Sequence, residues 1–128
     1  MQSAITYDIK VSVEAMYQPM YSKPINKEFV HAYRITIENM SDEPIQLLSR
    51  YWFIWDSTSK PREVEGDGVV GKQPIIQPGD SYQYVSGCPL ASTFGYMKGY
   101  YVMIRQSDQR KFEVQVPTFE LVPNFILN

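Results

Sequence analysis

The segment from Glu63 to Lys72, EVEGDGVVGK, holds two arrangements able to do chemistry. In the first, Gly66, Gly68 and Gly71 free backbone amides to form a nest for a phosphate or pyrophosphate, with Lys72 adding a positive charge. A dinucleotide loop of the GxGxxG kind must follow a buried strand and open a helix, whose N-terminus supplies the amides and the dipole. Gln73, Pro74 and the Pro78-Gly79 pair leave no room for that helix, and the GKS or GKT of a Walker loop is absent. The competing expectation is structural: glycines at positive φ in a bulged connection between two sheets, with Val69 and Val70 turned inward. In the second arrangement, Glu63, Glu65 and Asp67 stand at i, i+2 and i+4, on one face of an extended strand. Hard divalent cations take oxygen ligands of this type. Arg62 and Lys72 flank the run, and a solvated edge whose charges discourage strand pairing is the alternative.

Other chemistry is constrained by scarcity. His31 and Cys88 are the sole residues of their types. A zinc site built from Cys and His needs three or four such ligands, and any Ser-His-Asp or Cys-His constellation would have to use His31. The alternation of its strand turns His31 inward, as a neutral ring with one hydrogen-bond partner. Cys88, before Pro89, has no neighbouring charge that argues for a lowered pKa and reads as a small buried residue. Arg50 shares the parity of Trp52 in an apolar strand and should pair with an acidic group or lie over an aromatic ring. Tyr82, Tyr84, Tyr96, Tyr100 and Tyr101 lack the interleaved Lys and Arg that stacking on single-stranded nucleic acid requires. They read as core and sheet-face residues. The chain is expected to be non-catalytic and to need no cofactor.

The elements that position these groups are strands. The period of the apolar residues is two, and Tyr, Ile and Val are abundant. Ile5, Tyr7, Ile9, Val11 and Val13 alternate with polar residues as one half-buried strand. After a loop bounded by Pro19 and Pro24, a second strand carries Phe29, His31, Tyr33, Ile35 and Ile37 inward. Asn39 to Pro44 supply turn chemistry. The strand from Ile45 to Trp55 is apolar on both parities: Leu48, Trp52 and Ile54 on one, Leu47, Tyr51, Phe53 and Trp55 on the other. Two readings follow. A loop covers the second face, or Tyr51, Phe53 and Trp55 form an exposed patch that binds a protein partner or a second copy of the chain. Short strands between Glu63 and Gln77, a Pro78-Gly79-Asp80 turn, a strand from Ser81 to Gly87 and a hairpin of Gly95–Arg105 with Lys111–Val116 complete the pattern. Pro117 breaks pairing before Phe119 and Leu121 resume it. About seven to nine strands with regular turns make an all-β sandwich of the fibronectin type III or immunoglobulin-like kind.

At 128 residues, one domain spanning 1–128 is expected. Net charge is −2, with no block of either sign to serve nucleic acid. No signal sequence, long apolar span or disulfide pair is evident, so the expectation is a cytoplasmic protein without membrane insertion.

Three ordered blocks carry a family resemblance. GDGVVGKQPIIQPGDSYQYVSGCPL with the later GYMKGY, YRITIENMSDEPIQLLSRYWFIWDS, and KFEVQVPTFEL together are similar to the ApaG family. The resemblance implies the same sandwich fold. It implies less about activity: members have been linked to cobalt resistance and magnesium efflux, and eukaryotic relatives place the domain beside protein-recognition regions. The expected function is therefore a protein-interaction module connected to magnesium or cobalt homeostasis, the alternative a nucleotide or pyrophosphate binder using the GDGVVG loop. His31 departs from the family, which commonly carries Phe or another large apolar residue there.

Overall fold

The computed structural model of the protein describes residues 1–125. Nine strands form two antiparallel sheets: β1 (Gln2–Thr6), β2 (Ile9–Tyr17), β3 (Phe29–Asn39), β4 (Ile45–Asp56), β5 (Arg62–Asp67), β6 (Ile75–Ile76), β7 (Ser81–Leu90), β8 (Gly95–Arg105) and β9 (Lys111–Leu121). The smaller sheet has the order β1-β2-β3-β7; the larger runs β5-β4-β8-β9, with β6 also pairing β4. The architecture is the sandwich that the period-two pattern implies. Its core is the alternate set Ile9, Val11, Val13, Tyr33, Ile35 and Ile37 from one sheet against Leu47, Trp52, Ile54, Met97, Tyr101, Val114 and Phe119 from the other.

The N-terminal segment corrects the single strand expected over Ile5 to Glu14. Tyr7 and Asp8 both adopt positive φ, and Thr6 pairs with Ile9, so the chain reverses in a two-residue hairpin. The apolar-polar alternation of the sequence runs on through the turn and hides it, whereas pairing Thr6 with Ile9 inverts which parity faces the core, and Tyr-Asp lacks the usual glycine. Ile5 and Tyr7 are consequently 61% and 74% exposed instead of buried.

Strand β4 resolves its own ambiguity. Its register against β8 shifts between Leu47 and Ser49, so Leu48 is an extra residue and the parity inverts there. Ile45 and Leu47 face the core before the bulge; Trp52, Ile54 and Asp56 face it after. The expected grouping of Leu48 with Trp52 is wrong for this reason. A second bulge lies opposite Met97 and Gly99, where β9 accommodates Pro117 and Thr118 without ending.

Pro78 and Gly79 make the crossing between sheets. Gly79 has φ +82° and the Asp80 amide donates to the Gln77 carbonyl, the features of a type II turn with proline and glycine at its centre. Buried Asn39 ties the region together: its Nδ2 donates to the carbonyls of Glu43 and Ile76, and its Oδ1 accepts from Ser41.

Candidate functional site

The GDGVVG loop joins β5 to β6, both of which pair with β4, so it does not connect the two sheets. Val69 to Lys72 form a tight reversal in which each end residue donates its amide to the other's carbonyl, at 2.8 and 3.0 Å. The central residues, Val70 and Gly71, have φ of +48° and +76°. The Gly68 amide donates to the Leu48 carbonyl at 2.8 Å. Three amides that a phosphate nest would use are thus spent on backbone partners. Gly66 makes room for a side chain, because a Cβ there would meet the Arg50 guanidinium at 2.9 Å. Val69 is fully buried while Val70 is 63% exposed, so only one of the two valines expected inward is inward.

Arg50 enters from the inward parity but, among the described residues, pairs with no acid and covers no ring. Its Nη1 donates to the carbonyls of Asp67 and Gly68 at 3.1 and 2.9 Å, fastening β4 to the start of the loop. Glu63, Glu65 and Asp67 do share one exposed face of edge strand β5, beside Phe53, Tyr51 and Ser49. Carboxylates two residues apart on a strand stand roughly 7 Å apart at their backbones. Among the described residues, no group of three His, Cys, Asp or Glu converges as a metal site.

The outer face of the larger sheet is where aromatic side chains collect. Past the Leu48 bulge, Tyr51, Phe53 and Trp55 point away from the core, joined by Tyr96, Lys98 and Tyr100 of β8. The register sets Tyr51 beside Tyr100, Phe53 beside Lys98 and Trp55 beside Tyr96. Tyr51 and Tyr100 stack with centroids 5.1 Å apart, and Trp55 and Tyr96 stack at 5.4 Å. Phe94 meets Trp55 edge-on at 5.7 Å, and the Lys98 ammonium lies 5.2 Å from the centre of the Phe53 ring. These rings are half-buried and pack on one another. Partial burial, then Glu63, Tyr100 and Glu65, push the Tyr51 phenol above its ordinary pKa. Tyr96 and Tyr100 could have been assigned to this face from the sequence once the β4–β8 pairing was known; the pairing register carries that signal.

The outer face of the smaller sheet is different in kind. There Arg34 pairs with Glu14 at 3.1 Å and Gln83 donates to Thr36 at 2.9 Å. Polar pairs of this sort are an ordinary solvated surface.

The remaining candidates lie inside. His31 and Cys88 are adjacent across β3 and β7 and only 1% and 2% exposed. Burial lowers the His31 imidazole to about 4 and raises the Cys88 thiol. Tyr84 and Tyr101 share a hydroxyl hydrogen bond of 2.5 Å between the sheets, and Tyr82 packs beside the core. A network invisible to residue spacing surrounds buried Asp56, which accepts from the Ala91 amide and the Ser92 hydroxyl and closes the end of β4 onto the turn before β8. Burial would raise the Asp56 carboxyl, but hydrogen bonds from Ser92, Ala91 and Thr58 outweigh it and hold the pKa below its usual value.

Comparison with known proteins gives a consistent result. The profile of the ApaG domain matches residues 19–105. Protein ApaG of Brucella abortus is 50% identical over 121 residues, covering 94% of this chain and 92% of that protein. Protein ApaG of Mesorhizobium japonicum is 48% identical over the same shares. The crystal structure of the Bordetella pertussis protein designated ApaA superposes with a TM-score of 0.87 at 39% identity, covering 93% of this chain and 96% of that one. A protein from Archaeoglobus fulgidus shares the fold at TM-score 0.53 and 11% identity.

Proposed function

This chain belongs to the ApaG family, and from that premise we propose that it is a non-catalytic recognition module whose contact surface is the aromatic outer face of the larger sheet. The observation that carries the reading is the half-buried double column of rings, Tyr51, Phe53 and Trp55 beside Tyr96 and Tyr100, on a sandwich whose opposite outer face carries polar pairs such as Arg34 with Glu14 in place of rings. Aromatic side chains supply large contact area at low entropic cost and are enriched at the centres of protein interfaces. The burial of both His31 and Cys88 further favours binding over catalysis. Any influence on magnesium or cobalt homeostasis is then exerted through the partner, since the acidic series on β5 does not converge on a cation.

The nucleotide reading has less support, because Gly68, Val69 and Lys72 already donate their amides within the fold. Affinity capture from cells, comparing the wild type with Phe53→Ser/Tyr100→Ser, tests the proposal. A partner recovered only with the wild type is expected, the variant remaining folded by circular dichroism. Equal recovery by both proteins would overturn it. Calorimetry with pyrophosphate and nucleotides, with and without magnesium, should be silent.

A further inference from the structure

We infer that the partner seated on this face is an extended segment rich in arginine or lysine. The inference rests on the recognition reading above and adds the chemistry of the occupant. Strand register arranges the outer face in columns, with the rings of β4 and β8 in the middle. Glu63, Glu65 and Asp67 of β5 flank them on one side. Glu113 and Glu120 of β9 flank them on the other, beside Val102 and Tyr96. Lys98 and Lys111 are the ammonium groups on these strands' outward positions, so carboxylates predominate around an aromatic centre.

Such a face suits cations for two physical reasons. The ring faces of Tyr and Trp attract guanidinium and ammonium groups, and the carboxylates at the rim add long-range attraction and steering. Lys98 over Phe53 shows that these rings accept an ammonium at 5.2 Å. A depression of about 410 Å³ sits where small Ser49 leaves space beside Tyr51 and Tyr100, walled by Glu65 and Asp67. Arg50 also borders it, but its guanidinium is engaged with the carbonyls of Asp67 and Gly68. The depression fits one long cationic side chain laid on the tyrosine pair. From Tyr51 to Trp55 the column runs about 14 Å, the length of some four extended residues. A second copy of this chain would oppose one carboxylate frame with another, and nucleic acid would meet that frame with phosphates.

The test is an amide chemical-shift titration of the full chain with two synthetic peptides, one alternating Arg with Ser and one alternating Glu with Ser. The Arg peptide should give saturable shifts confined to outer positions of β4, β5, β8 and β9, weakening as salt is added, and the Glu peptide should give none. Glu63→Gln/Glu65→Gln/Asp67→Asn should weaken it about tenfold without lowering the melting temperature. Shifts scattered over other acidic sites such as Glu28, Asp42 and Glu43, equal binding by the triple variant, or no saturable shift would each overturn the inference. If affinity capture still depends on Phe53 and Tyr100 while the Arg peptide fails, the recognition reading stands and only the basic character of the partner falls. If both fail, both fall.

Discussion

Buried His31 sits in the core with a ring nitrogen left unpaired among the described residues. That atom is Nε2, and Tyr17 packs against the ring with centroids 5.3 Å apart. An imidazole held at about 4, against 6.5 in the unfolded chain, makes stability depend on pH. Above 6.5 both states are neutral and the fold is unaffected. As pH falls from 6.5 towards 4, the unfolded chain binds the proton and the folded one does not, so stability drops by up to about 1.4 kcal/mol per unit. Below 4 the loss from this group is complete. His31→Phe should therefore narrow the difference in melting temperature between pH 7 and pH 5; an unchanged difference would show that other groups set it. The inward direction of His31 was legible from alternation. Its missing hydrogen-bond partner was not, because that depends on which side chains the opposite sheet brings near. The same holds for Tyr84 and Tyr101, each buried and each satisfied by the other. Tyr101→Phe should cost about 1–3 kcal/mol by stranding the Tyr84 hydroxyl, while the double change to Phe should cost less than the sum of the single changes. Urea unfolding of the three variants would measure this.

Among the elements, the turn of the glycine-rich loop is the most demanding. Gly68 has φ +63°, and a Cβ would lie 2.2 Å from the Lys72 carbonyl oxygen. Gly68→Ala should destabilise the protein by roughly 2 kcal/mol or more, through strain and a backbone clash together. Val70 is the reverse case, a β-branched residue at φ +48° where asparagine or glycine is at home. Val70→Asn should raise the melting temperature, by about 0.5–1 kcal/mol of stability, and a fall would contradict the strain argument. The sequence announced that these glycines are conformational, since no helix could follow them. It did not show that the loop stays within one sheet, because β6 is two residues long and its pairing with β4 leaves no periodic trace. The Leu48 bulge escaped for a related reason. An extra residue inverts parity, and a strand apolar on both parities reads the same with or without it.

For the molecule as a whole, the sandwich followed from alternation, whereas the asymmetry of its two outer faces depends on register. Tyr51, Phe53 and Trp55 were candidates from the start; only the pairing of β4 with β8 joins them to Tyr96 and Tyr100. Site-specific photo-crosslinking in living cells can separate the two faces. A benzophenone side chain placed at Phe53 or Tyr100 should yield the same adduct, absent when it is placed at Thr36 or Gln83 on the smaller sheet. Adducts arising equally from both faces, or from the smaller sheet alone, would contradict recognition by the aromatic face.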